Sequence, residues 1–233
     1  MRVFLVTLLV LCVGYAQAQK IEKRDLEPFS ELTLKIEAQL HFVQDDEQSV
    51  EIKVAKASTM SKIITEVKDR ELVVRFRNND RWFKDWEPGQ IDIYVTAPNI
   101  ESLNVAGSGS IKVEDDLNAR IIDLNLNGSG DITVDHLVSE KINTLITGSG
   151  SIKVKQCTEV KDFKATISGS GDFFGLAVPT DKAKIKISGS GVCEITCNGK
   201  IDATIVGSGK VLYNGNPDID TKIVGKGKVT LKK

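Results

Sequence analysis

Val105-Ala106-Gly107-Ser108-Gly109-Ser110-Ile111-Lys112-Val113 decides the fold, because the chain keeps returning to it. Gly-Ser-Gly recurs at Gly128, Gly148, Gly169, Gly189 and Gly207, and a Gly-Lys-Gly variant stands at Gly225. The steps between triplets are 21, 20, 21, 20, 18 and 18 residues, and the triplets hold 14 of the 19 glycines. Glycine use is therefore positional. A flexible linker would not hold register with flanking aliphatics, and these triplets do.

Aligned on the first glycine, the chain falls into columns. Two residues before it stand Val105, Leu126, Ile146, Ile167, Ile187, Ile205 and Ile223. Four residues after it stand Ile111, Ile132, Ile152, Phe173, Cys193, Val211 and Val229. Six after it come Val113, Val134, Val154, Gly175, Ile195, Tyr213 and Leu231. Residues such as Ser110, Lys112, Asp131, Thr133 and Lys153 lie between, which is the period-2 signature of a strand with one buried face. By parity both glycines fall on the inward phase and the serine on the outward one. That predicts a backbone bending sharply inward where no Cβ fits, with glycine supplying any positive φ.

A repeat of about 20 residues is too short for a helical pair and suits one solenoid coil. A single coil cannot bury its apolar row, whereas coils stacked about 4.8 Å apart bury a continuous one. Residues 100–233 therefore predict an all-β, parallel β-solenoid of about seven glycine-marked coils, right-handed by the general preference of parallel crossovers. The two shorter last steps predict a narrower final pair of coils, with Pro217 in a loop.

Residues 19–99 lack the glycine marks but keep the alternation, in Leu32 to Ile36, Val50 to Val54, Leu72 to Phe76 and Ile91 to Val95. A short helix is expected over Ser58 to Ile64. This part reads as opening layers of the same sheet system, packed on the solenoid's first edge, where an uncovered edge would invite aggregation. Residues 1–18 read as a signal peptide: Arg2, an apolar run from Val3 to Tyr15, then Ala16-Gln17-Ala18 for cleavage. The apolar run is shorter than the roughly 20 residues that span a bilayer. Leu11 before Cys12 argues against lipidation. No second apolar span follows, so no transmembrane segment is expected after cleavage.

Lysine and arginine number 31 against 32 acidic residues, with no basic run, so nothing draws in nucleic acid. Of the four cysteines, removal of the signal peptide with Cys12 leaves Cys157, Cys193 and Cys197, an odd set without a second Cys or His pair, which predicts free thiols and no zinc site. The spacing agrees, since Cys193 and Cys197 lie roughly 13 Å apart on an extended strand, beyond the reach of about 7 Å for a disulfide. His41 and His136 lie in different halves, and neither accompanies a nucleophile motif. Asp131 and Asp172 share a column two coils apart, roughly 9.6 Å. That spacing touches the range for paired glycosidase carboxylates, but solvated faces explain them as well. Calcium-binding rolls repeat every nine residues, which this chain does not do. The triplets are not followed by the helix and Lys-Ser/Thr of a phosphate loop. Nothing calls for a cofactor or metal.

One segment stands out. Arg81-Trp82-Phe83-Lys84-Asp85-Trp86-Glu87-Pro88 gathers both tryptophans in an expected loop. Trp82, Phe83 and Trp86 form either a binding patch for a glycan or a protein partner, or a hydrophobic lid on the solenoid's end.

With these residues in view, the mature chain resembles the bacterial family described as putative auto-transporter adhesin, head GIN domain. The resemblance rests on Pro28-Phe29-Ser30-Glu31-Leu32, on the run Ile93-Tyr94-Val95-Thr96-Ala97-Pro98-Asn99-Ile100-Glu101-Ser102-Leu103, and on the iterated Gly-Ser-Gly. It implies an exported or envelope-located β-helical protein and brings no catalytic or ligand residues. The sequence thus predicts a non-catalytic scaffold or adhesion-type binding protein in the periplasm, on the surface or outside the cell, with a glycan or another envelope protein as partner. The alternative is a carbohydrate-active enzyme on a β-helix, which would need a cleft of clustered Asp and Arg. The sequence sets no oligomeric state.

Overall fold

The computed structural model describes residues 20–77 and 86–232. The predicted signal peptide lies outside them. Strands build two facing columns that share one apolar interior. Residues of the solenoid proper enter as β8 (Ser102–Gly107), β9 (Ser110–Asn118), β10 (Ile121–Gly128), β11 (Asp131–Val138), β12 (Lys141–Gly148), β13 (Ser151–Cys157) and β14 (Val160–Gly169). Two long strands follow, β15 (Asp172–Gly189) and β16 (Val192–Gly207), each running through both columns. The stack closes with β17 (Lys210–Asn214), β18 (Asp218–Gly225) and β19 (Lys228–Leu231).

Every pairing among these strands is parallel and matches the repeat's register at the aligned columns, with register shifts after Val134 in β11 on β9 and between Gly175 and Lys182 in β15 on β16. Column one runs β8, β10, β12, β14, the second half of β15, the second half of β16, and β18. Column two runs β9, β11, β13, the first halves of β15 and β16, then β17 and β19. The seven glycine corners bound about 6 turns of β-solenoid. Val105, Leu126, Ile146, Ile167, Ile187, Ile205 and Ile223 form one unbroken ladder. Ladder members up to Ile205 are buried, each worth roughly 1.5–3 kcal/mol. In the shortened repeats β16 passes from column two to column one with no intervening turn, and Pro217 lies in the loop before β18.

The corners differ in one respect from the parity reading. The second glycine is buried, and a Cβ on Gly130, Gly150 or Gly171 would strike Val105, Leu126 or Ile146 of the preceding coil. The first glycine is not inward. Gly128 has φ +136° and Gly148 φ +120°, and a Cβ there would meet the preceding coil's first glycine along the stack. Positive φ swings its carbonyl toward the next coil, where it accepts two N–H groups. Gly107 O takes Ser129 N and Gly130 N, both at 3.0 Å, and Gly128 O takes Ser149 N and Gly150 N at 3.0 and 3.2 Å. The triplet thus uses glycine for two separate reasons, a turned carbonyl and a missing side chain.

N-terminal strands are β1 (Lys20–Arg24), β2 (Glu31–Leu34), β3 (Gln39–Gln44), β4 (Ser49–Val54), β5 (Ile63–Lys68), β6 (Glu71–Phe76) and β7 (Ile91–Ala97). They are woven into the stack out of chain order. β2 and β3 lie directly against β8 and β9, while β6 and β7 lie on their other side, all parallel. Beyond these the sheet turns antiparallel, with β5 on β6, β4 on β7 and β1 on β4. The expected helix shrinks to one turn, α1 (Ala57–Met60), because Ile63 and Ile64 enter β5 and complete its pairing with β6.

Candidate functional site

Of the three aromatic residues singled out by the sequence, Trp82 and Phe83 lie outside the described residues. Trp86 is half-buried. Its ring stands edge-on to Phe76 at 5.1 Å and 82°, and Lys62 Nζ sits 4.0 Å from its centroid. The chain leaving it is held by α1, since Thr59 Oγ1 donates to Pro88 O at 2.7 Å and Lys56 Nζ to Glu87 O at 2.9 Å.

A second feature carries more polar chemistry. A cleft of about 690 Å³ opens beside column one, where chain segments cross between columns opposite the glycine corners. Its rim is set by backbone. Arg70 follows Asp69 in a left-handed turn (φ +68° and +51°), and its carbonyl accepts Ser30 N and Glu31 N. Glu101 N donates to Ser30 O at 2.7 Å, and Asp123 N to Glu101 O at 2.9 Å. The exposed side chain of Arg120 borders the cleft, while its carbonyl holds Glu140 N and Lys141 N of the next coil.

The wall is a side-chain ladder. Asn125 Nδ2 donates to Asn104 Oδ1 at 2.8 Å, and Ser102 Oγ to the same oxygen at 3.2 Å. One step further Asn143 Nδ2 donates to Asp123 Oδ1 at 2.7 Å. Amide and carboxylate groups are thereby fixed at strand spacing before any ligand arrives, which lowers the entropy cost of binding. Glu31, Glu101 and Asp123 share the cleft with Arg70 and Arg120. The sequence reading named none of these as site residues. Glu101 and Arg120 share one signal, a polar residue just ahead of successive column-one strands.

The other titratable candidates have structural partners. Asp131 Oδ1 accepts Ser151 N at 3.2 Å and Ser151 Oγ at 2.5 Å, while Asp172 Oδ1 accepts Val192 N at 2.8 Å. Both carboxylates therefore tie one coil to the next. His136 Nδ1 lies 2.6 Å from Asp116 Oδ1. His41 stacks on Tyr94 at 4.9 Å and contacts Glu114 Oε1 at 3.0 Å. Lys112, and after it His41, hold the Glu114 carboxyl below its usual range. Cys157, Cys193 and Cys197 are free thiols. Burial pushes Cys157 up to about 12 and raises the other two as well. Among the described residues, no three His, Cys, Asp or Glu side chains cluster as a metal site, and no helix is long and apolar enough to cross a membrane.

The family described as "Putative auto-transporter adhesin, head GIN domain" matches residues 28–217. The chain belongs to this family. Solved structures share its fold. A "putative adhesin" from Bacteroides fragilis has TM-score 0.83 at 19% identity, covering 93% of this chain and 98% of that one. A "putative lipid binding protein" from Parabacteroides distasonis has TM-score 0.77 at 20% identity, covering 94% and 98%. A "putative adhesin" from Parabacteroides merdae has TM-score 0.72 at 19% identity, also covering 94% and 98%. At such identities the likeness concerns the head GIN fold. No curated protein matches the chain.

Proposed function

We propose that this head GIN protein is an exported, non-catalytic, adhesion-type binding protein of the cell envelope or extracellular space, and that its cleft beside column one takes a glycan. The observation that supports this most is the wall of Asn104, Asn125 and Asp123, whose side chains are already held, Asn104 by Asn125 and Asp123 by Asn143 behind it. Fixed donors and acceptors at strand spacing suit a row of sugar hydroxyls, to which Arg70 and Arg120 add donors and Glu31, Glu101 and Asp123 add acceptors. Family membership and the adhesin names of its structural neighbours point the same way. Trp82, Phe83 and Trp86 are proposed as a second, aromatic contact. Export would begin with removal of residues 1–18, so the mature protein should start at Gln19 by intact mass.

Binding to arrayed polysaccharides tests the cleft. Asn125→Ala and Arg120→Ala should each weaken binding about tenfold, while leaving the melting temperature nearly unchanged. Unaltered binding in both would move the site elsewhere, and Trp86→Ala then tests the aromatic loop. A second reading, a carbohydrate-active enzyme, is favoured by the three carboxylates and two arginines that line the same cleft. Release of reducing ends from a bound polysaccharide, abolished by Glu101→Gln or Asp123→Asn, would replace the adhesion reading with that one.

A further inference from the structure

Among the described residues, the apolar ladders run into a last layer with no strand paired above it. Among the described residues, β18 pairs only with β16 and β19 only with β17. Ile201 and Ile205 are fully buried, whereas their ladder mates Ile219 and Ile223 are 41% and 40% exposed, and Leu231 is 55% exposed. A sheet edge backed by exposed apolar side chains can accept another strand.

The residues of β18 specify which strand fits. Ile219-Asp220-Thr221-Lys222-Ile223 has isoleucine at both ends and opposite charges on either side of Thr221. Antiparallel pairing of β18 with its own copy, centred on Thr221, sets Ile219 against the partner's Ile223 and Asp220 against the partner's Lys222. Two-fold symmetry repeats both pairs. Alternation places the isoleucines on the face that continues the core and the ion pairs on the outer face. Other registers fail. Centring on Asp220 opposes two aspartates, and centring on Lys222 opposes two lysines. A shift by one residue sets an isoleucine against a charged side chain. Like charges directly opposite destabilise a strand pair and unlike charges support it. Charges that only blunt an edge need no sign inversion about its centre.

We propose that two copies of this chain join end to end through β18, antiparallel about Thr221, as a two-fold dimer with a core continuous across the junction. The inference does not rest on the cleft or its ligand.

Sedimentation equilibrium of the folded chain over the micromolar range tests it. The expected result is a concentration-dependent species of twice the monomer mass. Asp220→Lys and Lys222→Asp each place like charges across the axis and should weaken self-association at least tenfold. Mixing the two variants restores opposite signs at both pairs, so a one-to-one dimer should return, as should self-association of the double charge swap. Rescue on mixing also separates lost pairing from misfolding. A wild-type chain that stays monomeric, single variants with undiminished dimer, or no rescue on mixing would each overturn the proposal. Growth into open-ended polymers would do so too, because it requires the open end to dock on the opposite, N-terminal end.

Discussion

At the N-terminal end of the stack the sheet changes character before it stops. β4, β1 and β5 turn antiparallel, α1 crosses the end of the core, and Met60 and Ile63 are 1% and 3% exposed. Charges crowd the outermost strand, where Glu22 pairs with Lys20 and Arg24. At the other end of the stack, among the described residues, the coil repeats once more and the same apolar columns finish half-exposed at Ile219, Ile223 and Leu231. The lesson is that the repeat specifies propagation and not termination. A coil is complete only when another lies on each side, so ending the stack requires sequence of a different kind. Among the described residues, that kind is visible in β1, β4 and β5.

The strongest test of this contrast compares two members of a single ladder. Ile146→Asp puts a carboxylate between Leu126 and Ile167 in the sealed interior. Urea unfolding should register a loss of several kcal/mol or a failure to fold. Ile223→Asp, in the same column at the open end, should cost the isolated monomer only about 1 kcal/mol. Equal losses would mean that the last layer is covered after all. Lys153→Asp on the outer face serves as the neutral control.

A smaller difference is expected between two corners. A Cβ on Gly150 would collide with the Gly130 carbonyl and Leu126, while one on Gly107 meets nothing within 4 Å. Gly107→Ala should therefore show only backbone strain, about 1–3 kcal/mol at its φ of +138°. Gly150→Ala should lose clearly more. Comparable melting temperatures would show that coil spacing adjusts freely.

Trimming the ends themselves compares them side chain for side chain. Met60→Ala should cost about 2–4 kcal/mol at the closed end, in the range for emptying a buried site. Leu231→Ala at the open end should stay within about 0.5–1 kcal/mol. The ordering, read from denaturation midpoints at fixed slope, is what matters.

The thiols give the finest probe. Burial raises their pKa, so the folded chain keeps protons that the unfolded chain releases above about pH 8.5. Their contribution is intact below that pH and declines as the pH climbs toward about 12, the value for Cys157. At neutral pH a thiol reagent should find no reactive cysteine in the native chain and all three after unfolding. Labelling of Cys193 and Cys197 ahead of Cys157 would reveal fraying that enters from the open end.

The coils were legible because their information is local. Val105, Gly107, Ile111 and Val113 declare inside and outside within nine residues, and copies of that pattern fix the register of whole strands. Strands β4, β6 and β7 showed themselves by the same alternation. Their order in the stack did not, since nothing near Leu32 says that its neighbours will be Leu72 on one side and Leu103 on the other. The first glycine's role was missed because parity describes extended chain, and at φ +136° Gly128 is not extended. The cleft was hidden for a related reason. Arg70, Glu101 and Arg120 come from separate connections with no common period, and only stacking brings them together.

The glycine corner has a consequence for how such a chain changes length. Each corner leans only on the corner before it, through one carbonyl and one missing side chain, and asks nothing of coils further off. A duplicated segment of one repeat could slot into the column without disturbing either end. Each added coil would move the two ends apart by about 4.8 Å, and the six steps present separate the first and last corners by about 29 Å. The stack is in this sense a ruler graduated in coils, and its cleft and its open edge are marks at two readings along it.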